Sequence, residues 1–415
     1  MIIKTIDQSV LDHFVKEHPN KHYQKTSMYG DFLAFSQKAT IQYLGFYQDQ
    51  QIIATAMIMF KSYPLIGTYG YIPMGLCLDY NQKEQLERCL DALVHFAQVK
   101  KLIFLKLDPN VIRIHRDLQG KPLNDGFLNE WVSELLKTKG FKHKGYGYAY
   151  DGSWNNRFTL VLDLDQPFDS LYKGFAKSKK SFYKRQQRMG IKTYQTTSED
   201  CHILASLEKE LTKKEGFYPK SEAYFKQLMQ IYGEHTKLKK TIMNVTDNIL
   251  IIDQELNSSK YRNDKEAYDA KVRQKEELLK IQATHGSEIV LAIGLFVVVG
   301  DWSWDLYSYK NPEFAKYNGT DHLHIETIKD FQAGGVKHYD FVGFSGVTDP
   351  SDFYYGLYQF KSSFNPRFVE HIGEFDLILN EKKHNLFNTF QYYKMKIKRR
   401  ILHILYKKTD KNEQT

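Results

Sequence analysis

The sequence predicts an α/β protein with two core units, and three observations carry that expectation. Runs alternating apolar and polar residues, TIQYLGFY, IIATAMIMF and TYGYIPMG within residues 40–80, read as strands. Segments with helical apolar spacing lie between such runs; EQLERCLDALVHFAQVKK (84–101) puts Leu86, Leu90, Leu93 and Phe96 on one face. A chain of 415 residues also exceeds what one ordinary core holds.

Residues 1–150 form the first expected unit. It closes with the buried strand LIFLKLDPNV, stopped at Asp-Pro, and then a helix, a glycine stop and another strand. RFTLVLDLD opens a second unit, expected over 151–246 and 286–376. In it, FDSLYKGFAKSKKSFYKRQQRMG (168–190) reads as one helix capped by Gly190. Residues 247–285 lack proline and are dominated by charge. They read as an inserted arm of two antiparallel helices, broken near Asn257, Ser258 and Ser259, with a loose heptad-like stripe of Tyr261, Tyr268, Val272 and Leu279. Such an arm is expected to bury little of the core. The last segment, 377–415, reads as a basic amphipathic helix. Leu386, Phe390, Ile397, Ile401 and Leu405 run along it among Lys394, Lys396, Lys398, Arg399, Arg400, Lys407 and Lys408. It suits a membrane surface or an RNA backbone, or it docks on the body with a solvated basic edge.

Hydrophobic content of 42% and charged content of 26% are those of a globular chain. A net charge of +9 favours a polyanionic partner: nucleic acid, anionic lipid or a phosphorylated substrate. Lysine-rich composition alone gives the same balance. Cys77, Cys89 and Cys201 stand in no metal spacing and read as reduced thiols. The start, MIIKTIDQSVLDHFVKEHP, has no signal-peptide core, and IVLAIGLFVVV (289–299) is too short to span a bilayer. A cytoplasmic protein, soluble or peripheral at the membrane, is expected.

No nucleophilic triad, phosphate loop or metal spacing is visible. His322, His324 and Glu326 lack a further ligand, so no metal is expected. On the helix 168–190, Lys177, Lys180, Lys184 and Arg188 form one stripe opposite Leu171, Phe175, Phe182 and Met189, with no carboxylate at i±3 or i±4. That is either a solvated face or a phosphate contact, here read as tRNA-binding. Lys220 and Tyr224 lie four apart at a helix start, which suits an anion as well as plain surface charge. Lys361 sits in FYYGLYQFKSSFNPRF (353–368), flanked by Tyr358, Phe360 and Phe364. It is either a stem on an apolar surface or a charge placed for a reaction.

Five segments, in order, resemble the Fem/MurM (FemABX) family of peptidoglycan cross-bridge aminoacyltransferases. They are GYIPMGLCLDY (70–80), LKLDPNV (105–111), NNRFTLVLDL (155–164), KKEGFYPKSEAYF (213–225) and YDFVGFSGV with GLYQFKSSFNPRFVEHIGEFD (339–376). The resemblance implies two tandem acetyltransferase-like subdomains with mixed sheets around a cleft, plus a coiled-coil arm at 247–285. It implies transfer of Gly, Ala or Ser from aminoacyl-tRNA to the stem-peptide lysine of a lipid-linked or UDP-linked muropeptide, or to a residue already attached there. No cofactor beyond aminoacyl-tRNA as co-substrate is implied. It places Lys220 and Tyr224 at the acceptor phosphate, Asp108 in the acceptor cleft, and Phe360 and Lys361 at the aminoacyl end of the tRNA. It also implies substrate contacts at Arg157 and Tyr358. Met74 and Lys220 stand where other members carry a cation and an arginine, and Met28 and Phe32 where they carry Trp and Lys.

The chemistry follows from the bond made. An amine attacks an activated ester, so the protein positions the partners and stabilises the oxyanion. Lys361 is expected beside that oxyanion or the terminal ribose, steadied by Phe360. Asp108 is expected to take the amine's proton or to orient the amine while water or substrate takes it. Two rivals remain. A CoA-dependent N-acyltransferase needs a glycine-rich pyrophosphate loop, and the nearest match, Gln187 to Lys192, ends in lysine. A non-catalytic tRNA- or membrane-binding protein would use only the arm and tail.

Overall fold

The computed structural model describes residues 1–148, 153–215, 218–258 and 264–412. Ser259 and Tyr261 of the expected arm, and Gly216 and Phe217 before Lys220, lie outside these residues. So do the side chains of Arg399, Leu405, Lys407 and Lys408.

The chain runs β1 (Ile2–Thr5), α1 (Gln8–Glu17), α2 (Ser27–Gln37), β2 (Thr40–Gln48), β3 (Gln51–Tyr63), β4 (Gly67–Ile72), α3 (Lys83–Val99), β5 (Phe104–Leu107), β6 (Ile112–Arg116), β7 (Pro122–Phe127), α4 (Glu130–Thr138) and β8 (Phe141–His143). It continues with β9 (Phe158–Asp163), α5 (Phe168–Gly174), α6 (Lys177–Arg188), β10 (Lys192–Thr196), α7 (Cys201–Glu215), α8 (Glu222–Tyr232) and β11 (Thr236–Asn244). Then come α9 (Val245–Leu256), α10 (Lys265–His285), β12 (Glu288–Val299), β13 (Trp302–Lys310), α11 (Gly319–Ala333), β14 (His338–Phe344), α12 (Tyr355–Ser362), β15 (Arg367–His371), β16 (Phe375–Ile378) and α13 (Glu381–Asn412).

The architecture is α/β with two mixed sheets. The first has order β1-β2-β3-β4-β5-β16-β8 and the second β10-β11-β12-β13-β14-β9-β15-β6-β7. The sheets cross the sequence division expected near residue 150. β6 and β7 join the second sheet, and β16 returns to the first. The expected boundary follows the order of elements along the chain, whereas strand pairing is a long-range event that order does not encode.

Each sheet repeats one device. Two antiparallel hairpin pairings, β2-β3-β4 or β11-β12-β13, lead into the sheet's parallel pair, β4-β5 or β13-β14, joined by a helix, α3 or α11. Both parallel pairs register over three residues: Gly70–Ile72 with Leu105–Leu107, and Trp302–Trp304 with His338–Asp340. The halves are glued by a core in which Tyr23, Met28 and Phe32 pack with Phe225, Leu228 and Trp304. Phe32 meets Tyr224 edge-on at 5.4 Å.

Three local expectations change. Residues 168–190 are two helices, because Phe175 is extended (ψ 151°) and drops its ring against Phe364 at 5.2 Å. On α6 the buried side chains are Lys179, Tyr183 and Gln186. The arm helices α9 and α10 do run antiparallel, held by Lys275 to Asp253 and Gln282 to Thr246. Their packing face is not the heptad stripe: Leu278 is buried while Tyr268 and Leu279 are exposed. Nor is the arm peripheral at its root. Ile249, Ile252 and Leu278 share a core with Met189 and Leu291, and the Asn248 amide donates to the Met189 carbonyl at 2.5 Å.

Leu278→Ala is therefore expected to cost about 2–5 kcal/mol, and Leu279→Ala less than about 0.5 kcal/mol, read from urea unfolding midpoints. Equal effects would return the arm to the periphery.

Candidate functional site

A cavity of about 780 Å³ opens between the sheets. Tyr23, Gln24, Met74 and Asn155 line it from one side, and Trp304, Asp340 and Val342 from the other. It lies where the parallel pairings end, beyond Ile72 and Leu107 in the first sheet and Trp304 and Asp340 in the second.

Asp108 directly follows β5. Its Oδ2 accepts from the Tyr71 hydroxyl at 2.8 Å and from the Asn155 amide, and its Oδ1 from the Met74 N–H at 2.8 Å. Met74 has φ +56°, a left-handed conformation a non-glycine residue seldom adopts, so the carboxylate holds a strained turn. Burial, and then the charge of Glu374, push the Asp108 carboxyl up to about 7, against the hydrogen bonds that favour its ionised form. Asp108 fronts a small side pocket of about 30 Å³ that shares Met74, Asn155 and His371 with the main cavity. Gln24 links Asn155 (3.2 Å) to the Tyr23 hydroxyl (3.3 Å).

The second sheet repeats the arrangement. Asp340, at the end of the parallel pair, accepts on Oδ1 from the Thr159 hydroxyl and from the Val342 N–H at 2.7 Å. Val342 has φ +60°, a genuine outlier for a β-branched residue. Lys361 holds the same kink from behind. Its Nζ donates to the carbonyls of Val342 (3.2 Å) and Gly343 (2.9 Å), and burial lowers its pKa to about 8.

Lys361 is thus buried against backbone carbonyls and does not line the cavity. Phe360 does not steady it. The ammonium lying over aromatic rings is that of Lys179, 3.8 Å from the Phe360 centroid and 4.4 Å from that of Phe364, and it is paired with Asp321 at 2.5 Å. Tyr358 is buried against Phe344, with its hydroxyl donating to the Leu118 carbonyl. Arg157 fronts the small pocket, but its guanidinium is committed to Glu370 (2.5 Å) and the Gly147 carbonyl (2.7 Å). Lys220 pairs with Glu208 at 2.8 Å and lies over Tyr307, whose hydroxyl meets that of Tyr224 at 2.9 Å. These two stand outside the cavity lining. Lys177, Lys184 and Arg188 are exposed and, among the described residues, have no carboxylate partner; Lys180 donates to the Lys173 carbonyl. His322 meets the Thr193 hydroxyl, and Glu326 accepts from Tyr183 and Lys329.

Sequence reasoning missed Tyr71, Asn155 and Asp340, which make the site, and Lys25, which ties the Leu76 carbonyl (3.0 Å) beneath it. Asp340 stands in the segment YDFVGF, inside β14, where only the end of its parallel pairing with β13 marks it, and that is not visible in the sequence.

Because burial raises Asp108 in the folded state above its unfolded value, its stabilising contribution is complete below pH 4. That contribution is lost as pH rises through about 7. Between pH 5 and 8 the wild type should lose about 1–3 kcal/mol more stability than Asp108→Asn, read by urea unfolding at both values. Lys361→Met leaves two part-buried carbonyls without their donor and should cost about 1–3 kcal/mol; an unchanged midpoint would mean the kink does not need its clamp.

The FemAB family model matches residues 6–392. A lipid II:glycine glycyltransferase of Staphylococcus aureus is 26% identical over 410 residues, covering 90% of this chain and 92% of that protein. Its counterpart in strain USA300 is 27% identical over the same span. The crystal structure of FemX superposes with a TM-score of 0.79 at 24% identity, over 93% of this chain and 99% of that one. The α/β architecture with its two mixed sheets is thus the fold of FemX, and the chain belongs to the FemAB family.

Proposed function

We propose that this protein is an aminoacyltransferase that moves Gly, Ala or Ser from aminoacyl-tRNA to the stem-peptide lysine of a lipid-linked peptidoglycan precursor, or to a residue already on it. The observation that carries the reading is the cavity shared by both sheets, with the Asp108 carboxyl, near neutrality, in the small pocket that shares Met74, Asn155 and His371 with it. The lipid II substrate in the relatives' names supports it.

In the proposed step the acceptor amine attacks the ester carbonyl. A C–N bond forms, the oxyanion collapses, and the C–O bond to the ribose breaks. The proton leaving the amine ends on the ribose oxygen. An aminoacyl ester is already activated, so positioning and charge carry the catalysis. Asp108 is the proton's first acceptor or its relay. The small pocket has room for one water, and a carboxyl near 7 exchanges protons readily at neutral pH. Lys361 acts through the backbone: it fixes Val342 and Gly343 on the cavity wall and lends positive charge from behind. No cofactor enters the scheme.

Outside the cavity, the exposed face of Lys177, Lys184 and Arg188 suits the tRNA backbone. Helix α13 is anchored by the buried Phe387, while Leu386, Phe390, Ile397 and Ile401 are exposed among lysines. This is the pattern of a helix lying on an anionic bilayer, and a peripheral place at the cytoplasmic membrane face fits a lipid-linked acceptor. Among the described residues no helix is long and apolar enough to cross a membrane.

The test is a competition of acyl donors. The protein is incubated with glycyl-, alanyl- and seryl-tRNA or acetyl-CoA, and with lipid-linked or UDP-linked muropeptide. Transfer from one charged tRNA to the muropeptide amine is expected. Acetyl transfer, or binding without transfer, would replace this reading with one of its rivals.

A further inference from the structure

We propose that Asp340 holds the α-ammonium group of the donor amino acid, so that the two carboxylates at the ends of the parallel pairings serve different amines: Asp108 the acceptor's, Asp340 the donor's. The inference rests on the aminoacyl-transfer reading above and adds a recognition element to it.

The two carboxylates occupy corresponding places. Each stands where the parallel pairing of its sheet ends, and each accepts the N–H of a cavity-lining residue in the left-handed region, Met74 or Val342. They differ in how far their oxygens are satisfied. Asp108 receives donors on both. Asp340 receives both of its donors, Thr159 and Val342, on Oδ1, and among the described residues nothing donates to Oδ2. Asp340 is only 7% exposed and lines the cavity. At the cavity wall, that second oxygen is free to accept a hydrogen bond from a ligand.

The nearby cations do not fill the gap. Lys361 spends hydrogen bonds on the Val342 and Gly343 carbonyls, and Arg367 pairs with Asp163. Across the parallel pair, Trp304 is in register with Asp340, and its ring lies 5.2 Å from that of Tyr23; both rings line the cavity. Aromatic faces beside an unfilled carboxylate oxygen make a site for a small ammonium group. An aminoacyl ester carries one, next to the carbonyl that reacts. Holding it fixes the carbonyl's orientation and rejects acyl groups that lack a free amine.

The experiment compares aminoacyl-tRNA with the same tRNA after N-acetylation of its amino acid, using one muropeptide acceptor. The wild type should prefer the free-amine donor by about 30–100-fold in kcat/KM, the scale of a lost charged hydrogen bond. Asp340→Asn keeps an oxygen for Thr159 and Val342, so it should melt close to the wild type. Its preference should fall below about fivefold, with the acceptor KM unchanged. Equal use of both donors by the wild type overturns the proposal whether or not the variant folds. A retained preference in Asp340→Asn, or a change confined to the acceptor KM, also overturns it. No transfer from either donor by the wild type removes the transfer reading itself, and this inference with it.

Discussion

The Glu370 carboxylate ties the two halves of the molecule together. It lies on β15, the strand flanked by β9 of the second half and β6 of the first. Its Oε1 takes Arg113 (2.8 Å) and Arg157 (2.5 Å), and its Oε2 takes Arg116 (2.7 Å). Burial alone would raise this carboxyl, but Arg157, Arg113 and Arg116 outweigh burial and keep it below the usual range. Three guanidiniums on one buried carboxylate are tolerable only with further acceptors. Glu130 and the Gly120 and Gly147 carbonyls supply them. Such a cluster contributes less to net stability than to fixing which strand lies beside which. With β15 pinned, β16 is delivered to the first sheet and the cavity acquires walls from both halves.

Within that frame the same local solution appears twice. A parallel pairing ends, the chain kinks through a left-handed residue, and an aspartate takes that residue's N–H. At Met74 and at Val342 the strain is local and the compensation is a charged hydrogen bond. The cost is a buried carboxyl, which burial shifts toward neutrality in both cases, to about 7 at Asp108 and about 6 at Asp340. A device that stabilises a kink thereby also produces groups able to exchange protons or hold cations near physiological pH. The charges outside the cavity obey the opposite logic. On α6, Lys177, Lys184 and Arg188 stay exposed and, among the described residues, without a carboxylate partner, which suits long-range attraction of polyanions more than chemistry.

The sequence by itself determined the element types, the arm's position and the family resemblance. Those signals are local: alternation in the β2 and β3 runs, the Leu86–Phe96 face of α3, and charge without proline at 247–285. The resemblance also drew attention to Asp108, which directly follows β5. Only the tertiary structure decided strand exchange, the break at Phe175, and the partner of each cation. Lys361 reads identically in sequence whether its ammonium meets an oxyanion or the Val342 carbonyl, since the deciding acceptor lies 19 residues away on another element. Lys179, hidden in a stripe of exposed lysines, turns inward because Asp321 and the Phe360 ring wait there. Apolar periodicity is written along the chain. The partner of a buried charge is set by which distant elements the fold brings within about 3 Å of it.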